Sequence, residues 1–192
     1  MGSKNNPKAR PNRLLHLKNF PEQKGSEQNM IKPDIDQFTL VLQATGVFDF
    51  DEWRDWVAKN LISTFLIKSK MHKLFDNFGE ADVKLPEGYT IGYSFNNAPF
   101  YFCIAYHEAF TKMGVIVKFS AYAWHEYRKR YEAEFNEPIH LQTLFKMIDS
   151  DEYSFRLSRI DICCDFINEN INIAKLKRSI EEGRTEIRYG KY

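Results

Sequence analysis

The stretch that most limits what this chain can become is Phe155-Arg156-Leu157-Ser158-Arg159-Ile160-Asp161-Ile162-Cys163-Cys164-Asp165-Phe166. As a β-strand it has a period of two, so one face carries Arg159, Asp161, Cys163 and Asp165. The other carries Ser158, Ile160, Ile162, Cys164 and Phe166, which is mostly apolar. Acidic groups on an otherwise buried strand are costly to desolvate unless paired or metal-bound. Two carboxylates four residues apart lie about 13 Å apart along a strand, at roughly 3.3 Å per residue. One cation bridges them only with help from side-chain reach, twist or a further ligand.

The remaining strand signals fall on both sides of this block. Residues 35–43 alternate as a strand, and Gly46 turns the chain. Asp49 with Glu52 forms a helix-capping pattern. Phe50, Trp53, Val57 and Leu61 then follow at helical spacing. A second helical pattern uses Ile67, Met71, Leu74 and Phe75 and runs to about Phe78. Its aromatic residues, with Trp53 and Trp56, read as core. Tyr89–Phe95 and Phe100–Tyr106 flank the turn Asn96-Asn97-Ala98-Pro99 and predict a hairpin. Gly114–Ser120 is a third strand, and Tyr122–Phe135 is an aromatic helix with His125, Arg128, Lys129 and Arg130 on its other side. Pro138 suits the first turn of a helix that turns Leu141, Leu144, Phe145 and Ile148 inward. After the opening block, Asn170 or Asn172 caps a helix that Gly183 ends, and Thr185–Tyr189 begins a last strand.

Strands joined by short connections pair antiparallel. The expected class is therefore α+β, a mostly antiparallel central sheet with helices packed on it. At 192 residues the chain suffices for one domain with a sizeable core. Residues 1–30 differ in composition. They carry six Lys and Arg against two Glu, with Asn, Pro, Gln and Gly, and read as a disordered basic arm. The whole chain has a net charge of +1, so total charge gives no argument for nucleic acid; the basic arm either binds phosphate or is a solvated tail.

Several functions are excluded by what the sequence lacks. It has no P-loop and no Gly-x-Gly-x-x-Gly, and neither a Gly-x-Ser-x-Gly elbow nor a His-Glu-x-x-His. The three cysteines, Cys103, Cys163 and Cys164, form neither a disulfide framework nor a zinc spacing, which points to a reducing cytoplasm. No apolar run is long enough to span a membrane. His107-Glu108 after a strand is a surface turn or a ligand pair. Taken alone, Asp161 either pairs with Arg159 on a solvated face or holds a divalent cation. Asp165 either caps a turn before Asn168 or joins that cation, with Glu186 as a further oxygen donor.

Met113-Gly114-Val115-Ile116-Val117-Lys118-Phe119-Ser120, the charged aromatic helix, and Ser158 to Phe166 follow in an order that resembles the replication initiation factor family. These are initiators of rolling-circle plasmids of the staphylococcal type and related relaxases of conjugative transposons. The resemblance covers residues 31–192, as a replication-initiation (nicking) domain. It departs where Ala121-Tyr122-Ala123-Trp124 replaces the family's Gly-rich turn.

The resemblance implies a site-specific endonuclease and strand transferase. It would bind double-stranded origin DNA and nick an extruded single-stranded segment through a tyrosine, assisted by Mg²⁺ or Mn²⁺. It places Asp161 and Asp165 on the acidic metal block with Arg159 beside them as a catalytic partner. The nucleophilic tyrosine is expected beyond Tyr192, which makes the chain an N-terminal portion of something longer. Arg128, Lys129, Arg130, Arg156 and Arg188 are the expected DNA contacts, and a homodimer is expected. The alternative is a non-catalytic DNA-binding protein or remnant from a mobile element that shares the fold.

Overall fold

The computed structural model describes residues 30–169 and 171–184. The expected arm therefore lies, but for Met30, outside the described residues, as do Asn170, the Thr185–Tyr189 strand, Glu186 and Arg188. The chain divides into two compact units. The larger is Lys32–Asp165; the smaller contains, among the described residues, 30–31, 166–169 and 171–184.

Six strands form one sheet in the order β2-β3-β4-β5-β1-β6. They are β1 (Met30–Ala44), β2 (Phe78–Glu80), β3 (Ile91–Phe95), β4 (Phe102–Tyr106), β5 (Val115–Phe119) and β6 (Tyr153–Ile167). The pairs β2–β3, β3–β4, β4–β5 and β1–β5 are all antiparallel. Between β1 and β6, Thr45 N–H donates to Glu152 O and the Ser158 hydroxyl to Thr39 O, so these two also run in opposite directions. The α+β antiparallel class is the one the sequence predicts.

Alternation sorts the central strands into two faces. Phe38, Leu40 and Leu42 stand opposite Phe119, Val117 and Val115, which stand opposite Phe102, Ile104 and Tyr106. All nine are buried, and they meet the helices. Trp124, Tyr127 and Tyr131 of α4 (Ala121–Phe135) pack onto them, with the Phe38 and Trp124 rings edge-to-face at 5.1 Å. Leu144 and Ile148 of α5 (Leu141–Ile148) complete the layer. The Tyr127 hydroxyl donates to Ser69 O at 2.7 Å, which satisfies a buried polar group within the core.

The second face carries Thr39, Val41, Lys118 and Cys103. Part of it is roofed by residues 81–90. The Tyr101 hydroxyl donates to Lys84 O, and a Cβ added at Gly92 would meet the end of the Leu85 side chain, which would have to move aside.

A three-part helix follows β1. It begins with α1 (Phe50–Glu52), capped by Asp49 and Glu52 as the sequence predicts. It continues through a π-helical stretch, Trp53–Val57, into α2 (Ala58–Lys68). Trp53 is buried, but Trp56 is 66% exposed, which corrects its assignment to the core. The wider turn rotates Trp56 to the outside while Trp53 and Ala58 both face in.

The helix expected to run to Phe78 does not. Lys70 takes a left-handed φ of 63° and breaks it, α3 spans only Met71–Leu74, and Asn77 at φ 59° turns the chain into β2. Phe78 therefore pairs with Phe95 in the sheet. Pro138 precedes the helix instead of starting it, because His140 is the N-cap of α5. In the smaller unit, Asn172 caps α6 (Ile173–Glu181) by accepting from Lys175 N–H, and Gly183 takes a φ of 68° two residues past its end.

Candidate functional site

Strand β6 ends the sheet among the described residues, and it is not a buried strand. Past Tyr153, its residues are exposed or half-buried. Ile162 is 75% exposed, and Ile160 and Phe166 are also open to solvent. The acidic residues of this strand therefore avoid the desolvation cost the sequence attaches to them, and a carboxylate here needs no cation to be tolerated. The strand forms because its β-branched and aromatic residues suit a pleated surface. Its partner β1 gives it a hydrogen-bonded side.

Asp161 is held by two side chains. Arg159 Nε donates to one oxygen at 2.9 Å and Nη2 to the other at 2.6 Å. Gln37 Nε2, from β1, donates to the second oxygen at 2.5 Å. The Arg159 and Gln37 hydrogen bonds hold the carboxyl down to about 2. The group is thus a fixed anion at neutral pH. Of the alternatives left open by the sequence, the Arg159–Asp161 pair is the one the contacts display. It carries an extra donor, Gln37, which no local signal marks in the sequence.

Asp165 has other surroundings. It lines a cleft of about 670 Å³ together with Lys32, Asp34, Arg128, Lys129 and His140. Both oxygens of Asp161 are already bonded, and Asp165 opens onto this separate cleft. No three His, Cys, Asp or Glu converge as a metal site among the described residues. The described donors therefore do not fit a shared Asp161–Asp165 cation site. Cys163 is half-buried and Cys164 exposed.

The expected DNA contacts differ in how free they are. Arg128 makes a two-pronged pair with Asp34, at 2.9 and 2.8 Å, and lies over the Trp124 ring. Arg130 donates to Leu74 O, and its guanidinium sits 4.8 Å from the Phe75 ring centre. Both side chains tie α4 to its neighbours. Lys129 is 70% exposed, with Glu126 at 3.9 Å. Arg156 is exposed on β6. His107 belongs to a turn, its Nδ1 accepting from the Ala109 and Phe110 N–H groups.

One cation on the second sheet face carried no signal in the sequence. Lys118 of β5 stands beside Cys103 and Thr39, with its ammonium 5.6 Å from the Tyr101 ring centre. Tyr89, in the roofing segment, is raised in pKa by burial, with the Arg156 charge acting against that rise.

No family model matches the sequence, and no curated protein matches it. Among solved structures, the fold is similar to that of a rolling circle replication initiator protein from Geobacillus stearothermophilus. The TM-score is 0.52 at 16% identity, over 84% of this chain and 54% of that one. The likeness is one of fold, and the chain spans about half the length of the protein it matches.

Proposed function

We propose that this chain is the N-terminal part of a rolling-circle replication initiator that binds origin DNA and nicks it by tyrosine transesterification. The observation that carries the reading is the fold likeness to an initiator across 84% of the chain. The Arg159–Asp161 pair supports it, because β6 offers it on the strand where the sequence resembles the family's acidic block. A guanidinium held in place by a carboxylate keeps its remaining N–H groups aimed outward, which suits a phosphate. In the reaction, a tyrosine oxygen attacks the phosphorus and the 3′ oxygen leaves, so the 5′ phosphate stays on the protein. Reversal onto a 3′ hydroxyl closes the strand.

A second reading, binding without cleavage, is favoured by one observation. Both oxygens of Asp161 already accept from Arg159 or Gln37, and Asp165 faces a different cleft. An origin oligonucleotide carrying a fluorophore, incubated with a protein that includes the tyrosine and with Mg²⁺ or Mn²⁺, separates the two. A covalent adduct supports the initiator reading. Salt-sensitive binding without an adduct supports the second. Absence of both refutes the DNA reading.

A further inference from the structure

Beside the π-helical stretch lies an open groove of about 590 Å³ that neither the Arg159–Asp161 pair nor the Asp165 cleft uses. Val47 and Phe48 of the loop after β1, Trp56 and Val57 of the wide turn, and the acids Glu52 and Glu152 line it. Its apolar parts are open to solvent, with Val47 fully exposed and Trp56 66% exposed. Phe48 is fixed by stacking on the buried Trp53 ring, 5.5 Å between centres. The surplus residue of the wide turn is what displays Trp56, and such turns are frequent at functional sites. The carboxylates are held without a cation. Asn60 and Thr64 of α2 both donate to one Glu152 oxygen, at 3.0 and 2.7 Å, and Asp49 N–H donates to one Glu52 oxygen at 2.9 Å. Among the described residues neither acid forms an ion pair. The segments that supply them, residues 49–60 and 149–152, hold seven Asp and Glu against two Lys and Arg. Of those two cations, Arg54 already pairs with Asp51 and Asp55, and nearby Lys68 donates to Asp149 O.

We infer that this groove docks an apolar, arginine-bearing peptide segment of a partner protein, independently of the DNA reading above. Its acidic walls repel phosphates and so select against nucleic acid. A second copy docked face to face would set acid against acid, because a two-fold contact meets its own patch. Charge complementarity therefore selects a basic partner. Trp56 narrows the cation to arginine. A guanidinium stacks on an indole face and forks onto a carboxylate, and Trp56 and Glu152 line the same groove. Apolar side chains of the segment cover Val47, Phe48 and Val57, and their burial supplies the affinity that exposed charge pairs lack.

The test uses the full chain and a short fluorescein-labelled peptide of Arg and Leu residues, read by anisotropy at several salt concentrations. Control peptides carry Glu in place of Arg, or Ser in place of Leu. The Arg/Leu peptide binds, and both controls bind more weakly by about tenfold or more, the cost of a lost anchor. Trp56→Ala weakens binding of the Arg/Leu peptide by about tenfold or more, the range of an aromatic hot spot. Glu152→Gln keeps an acceptor for Asn60 and Thr64 but makes binding weaker and less sensitive to salt. Val47→Lys, which sets a like charge in the groove, weakens binding, and Val47→Glu strengthens it. Thermal melts of each variant verify folding, and the Val47 pair carries the test if Trp56→Ala unfolds. Wild-type affinity in both Trp56→Ala and Val47→Lys overturns the inference. So does equal binding of the Arg/Ser peptide, which is attraction by charge alone, or no binding of the Arg/Leu peptide. Light scattering that finds the wild type self-associated and Trp56→Ala monomeric assigns the groove to a second copy, and also overturns it.

Discussion

Replacing Arg128 by Ala should weaken the fold far more than it weakens DNA binding. The guanidinium donates two hydrogen bonds to Asp34 and covers Trp124, and the two charged side chains are only 28% and 22% exposed. Hydrogen bonds to charged groups contribute about 1.5–3 kcal/mol, and a partly exposed cation–π contact about 0.5–1 kcal/mol. Allowing for solvent at a site that is not fully buried, Arg128→Ala should cost about 2–3 kcal/mol. That corresponds to a fall in melting temperature of about 5–10 °C for a chain of this size.

The loss should depend on pH. Burial pushes the Asp34 carboxyl up, but the Arg128 hydrogen bond, the Ile35 N–H and the Arg128 and Lys32 charges together bring it below its ordinary value. A carboxyl with a lowered folded pKa stabilises fully above its unfolded pKa, about 4, and loses that contribution as pH falls through the folded value. The difference in melting temperature between wild type and Arg128→Ala should therefore be full at pH 7 and shrink below about pH 4. A double-mutant cycle with Asp34→Ala should return a coupling of about 1–2 kcal/mol. Unchanged melting in Arg128→Ala, with a reduced salt slope for DNA, would refute the reasoning and return Arg128 to the DNA contacts.

Asp161→Asn should leave the melting temperature unchanged, because an exposed ion pair contributes little, while abolishing nicking in a protein that includes the tyrosine. Normal nicking by that variant removes Asp161 from the site. In the wild type, carbon-detected NMR should find the Asp161 carboxyl titrating near 2. Gly92→Ala should displace Leu85 and loosen residues 81–90, seen as faster proteolysis in that segment, and Leu85→Ala in the same chain should restore resistance. Of the three thiols, Cys164 should react first with a disulfide reagent, because Cys103 is fully buried and Cys163 is half-buried with its pKa pushed up by burial and by Asp165.

The fold was legible where pattern and burial agree. The hairpin at Asn96–Pro99, the capping box at Asp49–Glu52 and the Tyr122–Phe135 helix announce themselves locally. The failures share a cause, which is that apolar periodicity does not report backbone direction. Met71, Leu74 and Phe75 keep the spacing of the preceding helix, yet Lys70 and Asn77 reverse the chain on either side of them. The site was legible only as residue types on one strand. Gln37 lies 124 positions from Asp161, and Lys118 reads as one polar residue in a strand until register sets it beside Thr39. Exposure of β6 was illegible too, because alternation of Ile160, Ile162 and Phe166 looks the same whether or not anything covers it.

The π-helical stretch has a consequence for how this chain tolerates changes in length. At about 100° per residue, an unbroken α-helix would set Ala58 well away from the side that Trp53 occupies. One surplus residue in the wide turn realigns Trp53 with the stripe Ala58, Leu61, Ile62, Phe65 and Leu66. The turn thus stores a residue that the core does not use. Deleting Asp55 or Trp56 should let the helix close into ordinary turns with both buried stripes kept. The same deletion within Ala58–Lys68 would rotate everything after it out of the core. Of all the helical positions before Lys70, this is where a one-residue gap should do the least harm.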